Sequence, residues 1–222
     1  MNNPVKKRSY PWSPPLSTDT DEWYYNHYVE WYTTPPFSHA TSQIPTLNIW
    51  DDHDIIDGYG SYTDKFMSCP VFRGLGRVAK KYYMLFQHHT PPVGETPEDP
   101  NWILGGVNGR YFGDPSRSLY ARLGKRVAFV GVDARSERTR HMINELTTYS
   151  RIFERLDKEL SDAGGEVKHL FVLLGIPIAY PRLTWLGTIL RSPFMGFIRF
   201  LNKRFGIADS LFNGLDGSFD LL

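Results

Sequence analysis

The runs Arg126-Val127-Ala128-Phe129-Val130-Gly131-Val132-Asp133 and His169-Leu170-Phe171-Val172-Leu173-Leu174 decide the fold class. Each is short, apolar and rich in β-branched or aromatic residues, the pattern of a strand. Between them Tyr149, Ile152, Phe153, Leu156 and Leu160 recur on one stripe, which predicts a helix over 148–160. Gly164-Gly165 follows, as helix C-termini prefer. Strand, helix and strand in this order fit a right-handed β-α-β crossover, with a long connection from Asp133 to Thr148. A mixed α/β fold follows. The unbroken apolar run at 169–174 predicts a strand covered on both faces.

Working outward, residues 116–123 pair with 126–132 as a hairpin through Gly124. Residues 45–50 read as a short buried strand that runs out into an acidic cluster. Residues 77–89 predict a helix with Val78, Tyr82, Leu85 and Phe86 on one face. Another helix is predicted from about Asp19, carrying Tyr24, Tyr28 and Trp31 and stopped by Pro35-Pro36. Residues 1–20 read as irregular or disordered, and 21–222 as the domain proper. Residues 90–101 hold four prolines and read as a lid or an insertion. Short helices are predicted over 182–190 and 192–206.

With 222 residues, one domain with a sizeable core suffices. An aromatic content of 15% makes ring packing a large part of the burial energy. The net charge of +1 argues against a general nucleic-acid-binding surface, which needs clustered excess Lys and Arg. The single cysteine, Cys69, excludes an intramolecular disulfide and reads as a small buried thiol. No apolar run is long enough for a membrane span or a signal peptide, so a cytoplasmic location is expected.

Two clusters carry chemistry. Asp51-Asp52-His53-Asp54 packs three carboxylates and an imidazole together where a predicted strand ends. Crowded carboxylates repel and raise each other's pKa, and a bound cation relieves this. A solvated acidic turn with a helix cap is the alternative. Asp133-Ala134-Arg135-Ser136-Glu137-Arg138-Thr139-Arg140 also follows a strand. Its arginines suit bidentate contact with phosphate oxygens. The alternative is local pairing, Asp133 with Arg135 or Glu137 with Arg140. Pro177-Ile178-Ala179-Tyr180-Pro181-Arg182 is a third post-strand segment, either a proline-stiffened loop or, through Arg182, an anion contact. His88-His89 ends a predicted helix, where a dipole contact competes with metal ligation.

The run Ile49-Trp50-Asp51-Asp52-His53-Asp54-Ile55-Ile56-Asp57-Gly58-Tyr59-Gly60-Ser61-Tyr62, followed by Asp133-x-Arg135-x-x-Arg138, Leu173 to Arg182 and Phe200 to Gly206, resembles the fungal branch of the PhoD-like metallophosphatases. The resemblance implies a sandwich of two mixed sheets flanked by helices, and hydrolysis of phosphate esters at a two-metal site. It implies Asp52 as a metal ligand with Asp51 as a second candidate. His53 would orient the phosphate or protonate the leaving oxygen. Arg135 would stabilise phosphate charge, with Arg138 and Arg182 as further phosphate contacts. The cofactor would be divalent or trivalent metal ions, Fe, Ca, Mn, Mg or Zn, and the substrate a phosphate ester. The family's upstream Gly-Gly-Asp-Gln-type and downstream Gly-Asp-Val-His-type segments have no counterpart here. The expectation is therefore a partial domain, incomplete at both ends and inactive alone. A non-catalytic, partner-binding derivative of the same domain is the alternative.

Overall fold

A computed structural model describes residues 8–90 and 99–176. Ser13 caps a long helix near the N-terminus. Its hydroxyl accepts from the Leu16 amide at 3.5 Å, and Pro14 takes the first helical position, where its missing N–H costs nothing. This helix, α1, runs Pro14–Thr33. It starts earlier than the Asp19 expected, so regular structure reaches into the first twenty residues. Tyr24 and Tyr28 are its buried residues, Tyr32 continues their stripe half-buried, and Trp31 points to solvent. Beyond Pro35-Pro36 a short helix, α2, covers Phe37–Thr41.

Residues 45–50 join no ladder among the described residues, so the predicted strand there is corrected to an unpaired segment. The next helices are α3, Asp64–Met67, and α4, Pro70–Gln87. Cys69, buried as expected, precedes α4, and Pro70 opens it seven residues before the periodicity begins to show. Tyr82 is buried on the predicted face of α4, with Val78, Leu85 and Phe86 packed half-buried beside it. Rings from α1, α4 and the acidic loop form one aromatic core. Trp50 stacks on Tyr83 at 4.8 Å, and Tyr28 on Phe86 at 5.0 Å.

The sheet is mixed and four-stranded, in the order β1 (Trp102–Asn108), β2 (Pro115–Arg122), β3 (Val127–Val132), β4 (His169–Leu174). β1–β2 and β2–β3 are antiparallel, and β3–β4 are parallel with Val127 opposite His169. The hairpin and the crossover are thus present, joined by α5, Leu146–Asp162. Ile152 and Leu156 of α5 cover Ile103, Tyr120, Ala128, Val130 and Val132, while Phe153 is exposed. The fold is α/β, as expected. Among the described residues it shows one mixed sheet with flanking helices.

Two expectations fail here. β1 lies where no strand was predicted, because Gly105-Gly106 breaks its apolar run. Its glycines pack under Ser116, Glu137 and Thr147, leaving no room for side chains. β4 was expected to be covered on both faces, yet Phe171 and Val172 are 60% and 53% exposed. Among the described residues β4 is the edge of the sheet and pairs only with β3. Among the described helices, none is long and apolar enough to cross a membrane.

Two stability predictions arise from this frame. A Cβ at Gly109 would lie 1.9 Å from the carbonyl oxygen of Ser136, a backbone atom that cannot swing aside. Gly109→Ala is expected to cost at least about 2 kcal/mol in urea unfolding. The second concerns His88, whose Nε2 lies 2.6 Å from the Tyr83 hydroxyl. Burial lowers its pKa from 6.5 to about 4. The unfolded chain therefore binds the proton first on acidification. The stabilisation is fully present above pH 6.5 and is lost as pH falls towards 4, by about 1–2 kcal/mol after allowing for partial solvent contact. Melts of wild type and His88→Gln between pH 7 and 4.5 check this, since the variant should show a shallower fall.

Candidate active site

The acidic loop and the two segments that follow β3 and β4 meet at one end of the sheet. Gly131 on β3 lies under Ile49, and a Cβ at Gly175, just past β4, would touch the Trp50 carbonyl oxygen at 2.9 Å. The acidic loop after Trp50 therefore sits beside the C-terminal ends of the two parallel strands, where α/β sheets place their chemistry.

Asp133, the first residue beyond β3, organises this end. It is 2% exposed. Its Oδ1 accepts from Trp50 Nε1 at 2.7 Å and from the Arg135 and Ser136 amides at 3.0 Å each. Its Oδ2 accepts from the Arg117 amide at 2.9 Å and the Ser136 hydroxyl at 2.6 Å. One carboxylate thus ties the acidic loop to β2 and to the arginine turn. Glu137 plays a similar buried part, accepting from the hydroxyls of Ser116 and Thr148 at 2.6 and 2.7 Å. Neither local arginine pairing forms: Asp133 and Glu137 are occupied elsewhere, and Arg135 reaches Asp52 instead.

The acidic run divides by role. Asp54 Oδ2 accepts from the Asp51 amide at 2.9 Å, and its Oδ1 accepts from Gln87 Nε2 at 2.7 Å. Burial pushes the Asp54 carboxyl up from its ordinary value. Asp51 Oδ1 accepts from the His53 amide at 2.8 Å, which shapes the turn. Asp52 points the other way and is buried. Its Oδ2 accepts from the Gly58 amide at 2.8 Å, and its Oδ1 lies 3.3 Å from Arg135 Nη2. His53 is exposed, with Nε2 3.8 Å from Asp57 Oδ1. Ligand atoms of Asp52, His53 and Asp57 all lie within 4.8 Å of one another. Two carboxylates and an imidazole make a donor set suited to a divalent cation. Asp57, rather than Asp51, completes this group.

Arg135 is 4% exposed. Its Nη2 donates to the Gly175 carbonyl at 2.7 Å, while Nε and Nη1 are buried without partners. Arg138 Nε is also buried and unpartnered. Its aliphatic stem packs on Gly60, where a Cβ would fall 2.3 Å from Cγ, and Gly60 holds a φ of 97° that favours glycine. Burial, and then the Arg135 charge, pushes the Arg138 guanidinium down from its usual range. Two guanidinium groups beside one carboxylate leave excess positive charge and unused donors. Arg182 lies outside the described residues, as do the predicted helices over 182–190 and 192–206 and most of the proline-rich loop. His88 bonds to Tyr83 and takes no part in the acidic group. The signal for Asp57 was present in the sequence, four residues from His53, but the turn that brings them together was not.

A carboxylate–imidazole group beside buried guanidinium groups that keep unpartnered donors is in keeping with a phosphatase-like domain. The chain belongs to the PhoD related phosphatase family, whose sequence profile matches residues 1–196. That match includes the first twenty residues. The uncharacterized protein YGR266W of Saccharomyces cerevisiae is 37% identical over an alignment of 241 residues, covering 99% of this chain. The chain spans 34% of that relative's length. No solved structure matches the chain.

Proposed function

We propose that this chain binds phosphate esters between the acidic loop and the arginine turn and hydrolyses them with the help of a metal ion. The observation that carries this reading is Arg135, with two buried and unpartnered donor nitrogens beside Asp52. Its Nε and Nη1 would donate to phosphate oxygens, and Arg138 would add positive charge against them. Asp52, His53 and Asp57 would hold the ion. A metal bound there supplies charge for the phosphate oxygens and a water of lowered pKa. His53, exposed at the mouth, is placed to orient the phosphate or to give a proton to the leaving oxygen. Asp51 acts by holding the His53 amide, and Arg182 joins the phosphate contacts by family resemblance.

A second reading has its own support. Asp52 is already paired with Arg135, and three ligand atoms fall short of the two-metal site that the resemblance implies. A non-catalytic derivative would bind phosphate without turnover. Purified chain is assayed with p-nitrophenyl phosphate and its bis ester in Mn²⁺, Fe³⁺ or Ca²⁺, beside calorimetry with orthophosphate. Metal-dependent turnover abolished by Asp52→Asn supports the hydrolase. Phosphate binding without turnover selects the derivative. Absence of both sinks the site altogether.

A further inference from the structure

His53 and Asp57 reach the candidate metal group with side chains that are 74% and 56% exposed. An exposed side chain keeps much of its rotamer freedom, so packing does not orient it. What presents these donors is the backbone of the acidic loop, and that backbone is a closed turn. The Asp51 amide donates to Asp54 Oδ2 at 2.9 Å, and the His53 amide to Asp51 Oδ1 at 2.8 Å. The Ile55 amide donates to the Asp52 carbonyl at 2.9 Å, and the Gly58 amide reaches back to Asp52 Oδ2 at 2.8 Å. Asp54 is not among the three grouped ligand residues, yet the turn closes on its carboxylate.

The hold on Asp54 comes from outside the loop. Gln87, the last residue of α4, grips the loop at two points. Its Nε2 donates to Asp54 Oδ1 at 2.7 Å, and its carbonyl accepts from Asn48 Nδ2 at 3.0 Å. Asn48 and Asp54 bound a stretch that could extend over roughly 20 Å, and here both ends return to one residue. Between them Trp50 is buried and stacks on Tyr83 of the same helix. Gln87 Nε2 also donates to the Tyr28 hydroxyl at 3.0 Å, and that hydroxyl donates to Asp54 Oδ1 at 3.3 Å. One oxygen of Asp54 is thus held from α1 and α4, while the other closes the turn.

We propose that Gln87 is a positioning residue of the acidic loop: by holding Asp54 it fixes the turn that presents Asp52, His53 and Asp57 to a divalent cation. The cation's part in this rests on the metal-assisted reading of the site. Residues that steady metal ligands from behind commonly set affinity by about 10–100-fold.

Two isosteric exchanges separate positioning from charge and from bulk. Gln87→Glu sets carboxylate against carboxylate. Asp54→Asn sets amide NH₂ against amide NH₂ as long as its oxygen stays on the Asp51 amide. The double variant restores the bond with its direction reversed, the new amide donating to the new carboxylate. Charge alone predicts that Gln87→Glu, which brings a further negative charge towards the cation, binds Mn²⁺ more tightly. Positioning predicts the opposite.

Calorimetry of the intact chain with Mn²⁺ alone, at neutral pH, is expected to show about tenfold weaker binding for each single variant. The double variant should return to within about threefold of wild type. Exchange of the Asp51 amide, followed by NMR without metal, should quicken about tenfold in the single variants and slow again in the double. If Gln87→Glu binds Mn²⁺ as tightly as wild type, even with a lower melting temperature, Gln87 serves the fold alone. That result, or a double variant as weak as the singles, overturns the proposal and leaves the metal reading standing. Wild type that binds no Mn²⁺ sinks the metal reading, and amide exchange then decides alone. Unchanged protection in the single variants overturns the role of Gln87, and protection lost there and regained in the double upholds it.

Discussion

Asp133→Ala is expected to lower the unfolding free energy by about 3–5 kcal/mol, because each buried donor left unpaired costs roughly 1–3 kcal/mol before relaxation. Five donors converge on this carboxylate, three of them backbone amides that cannot turn away and one the indole N–H of buried Trp50. Asp133→Asn should cost less, about 1–3 kcal/mol. Its oxygen can keep the three donors at Oδ1, but its NH₂ then faces the Arg117 amide, donor against donor. The expected stability order is wild type, then Asn, then Ala. Urea unfolding gives the magnitudes, and near-ultraviolet circular dichroism reports whether Trp50 keeps its fixed surroundings. An alanine variant as stable as wild type would show that the acidic loop is not held by Asp133.

The second large effect concerns Asp52 and Arg135, whose side chains are 9% and 4% exposed. Taking one partner from a buried pair leaves an uncompensated charge, a loss of about 3–5 kcal/mol. Asp52→Asn and Arg135→Gln should each be strongly destabilising. The double variant should be more stable than the sum of the two losses predicts, since it buries no lone charge. Binding is expected to behave differently. Both variants lacking Arg135 should lose orthophosphate affinity by about a hundredfold, and the double variant should not regain it. Recovery of phosphate binding along with stability would assign Arg135 a purely structural role. Strictly additive stabilities would show that the two charges do not interact.

The sequence and the structure divide these results unevenly, and the reason differs from element to element. The hairpin, the crossover and helices α4 and α5 were legible because their apolar residues repeat at the period of the element they form. Their boundaries were less legible. Pro70 and Pro14 start helices from positions that carry no periodic signal, only tolerance for a missing N–H. β1 was hidden because close packing under Ser116 and Thr147 demands glycines, and glycines weaken a strand pattern. At 45–50 the reverse occurred. An apolar run looked like a strand, but its burial comes from rings in the aromatic core and from contact with the ends of β3 and β4.

For the site, the sequence by itself determined the cast: an acidic loop with an imidazole, an arginine turn after a strand, and the order that ties both to one phosphatase family. Residue type and order are local properties, and they survive without coordinates. Which carboxylate does what was decided only by tertiary structure. Asp51, Asp52 and Asp54 are equivalent as letters. A hydrogen bond from Gln87, thirty-three residues away, and an ion pair from Arg135, eighty-three residues away, make one of them part of the scaffold and another part of the site. Asp133 changed most. As a sequence feature it was the end of a strand, and in the fold it is the acceptor on which the indole of Trp50 and the arginine turn both depend. Such roles arise from donors far apart in the chain, and only folding brings those donors within 3 Å.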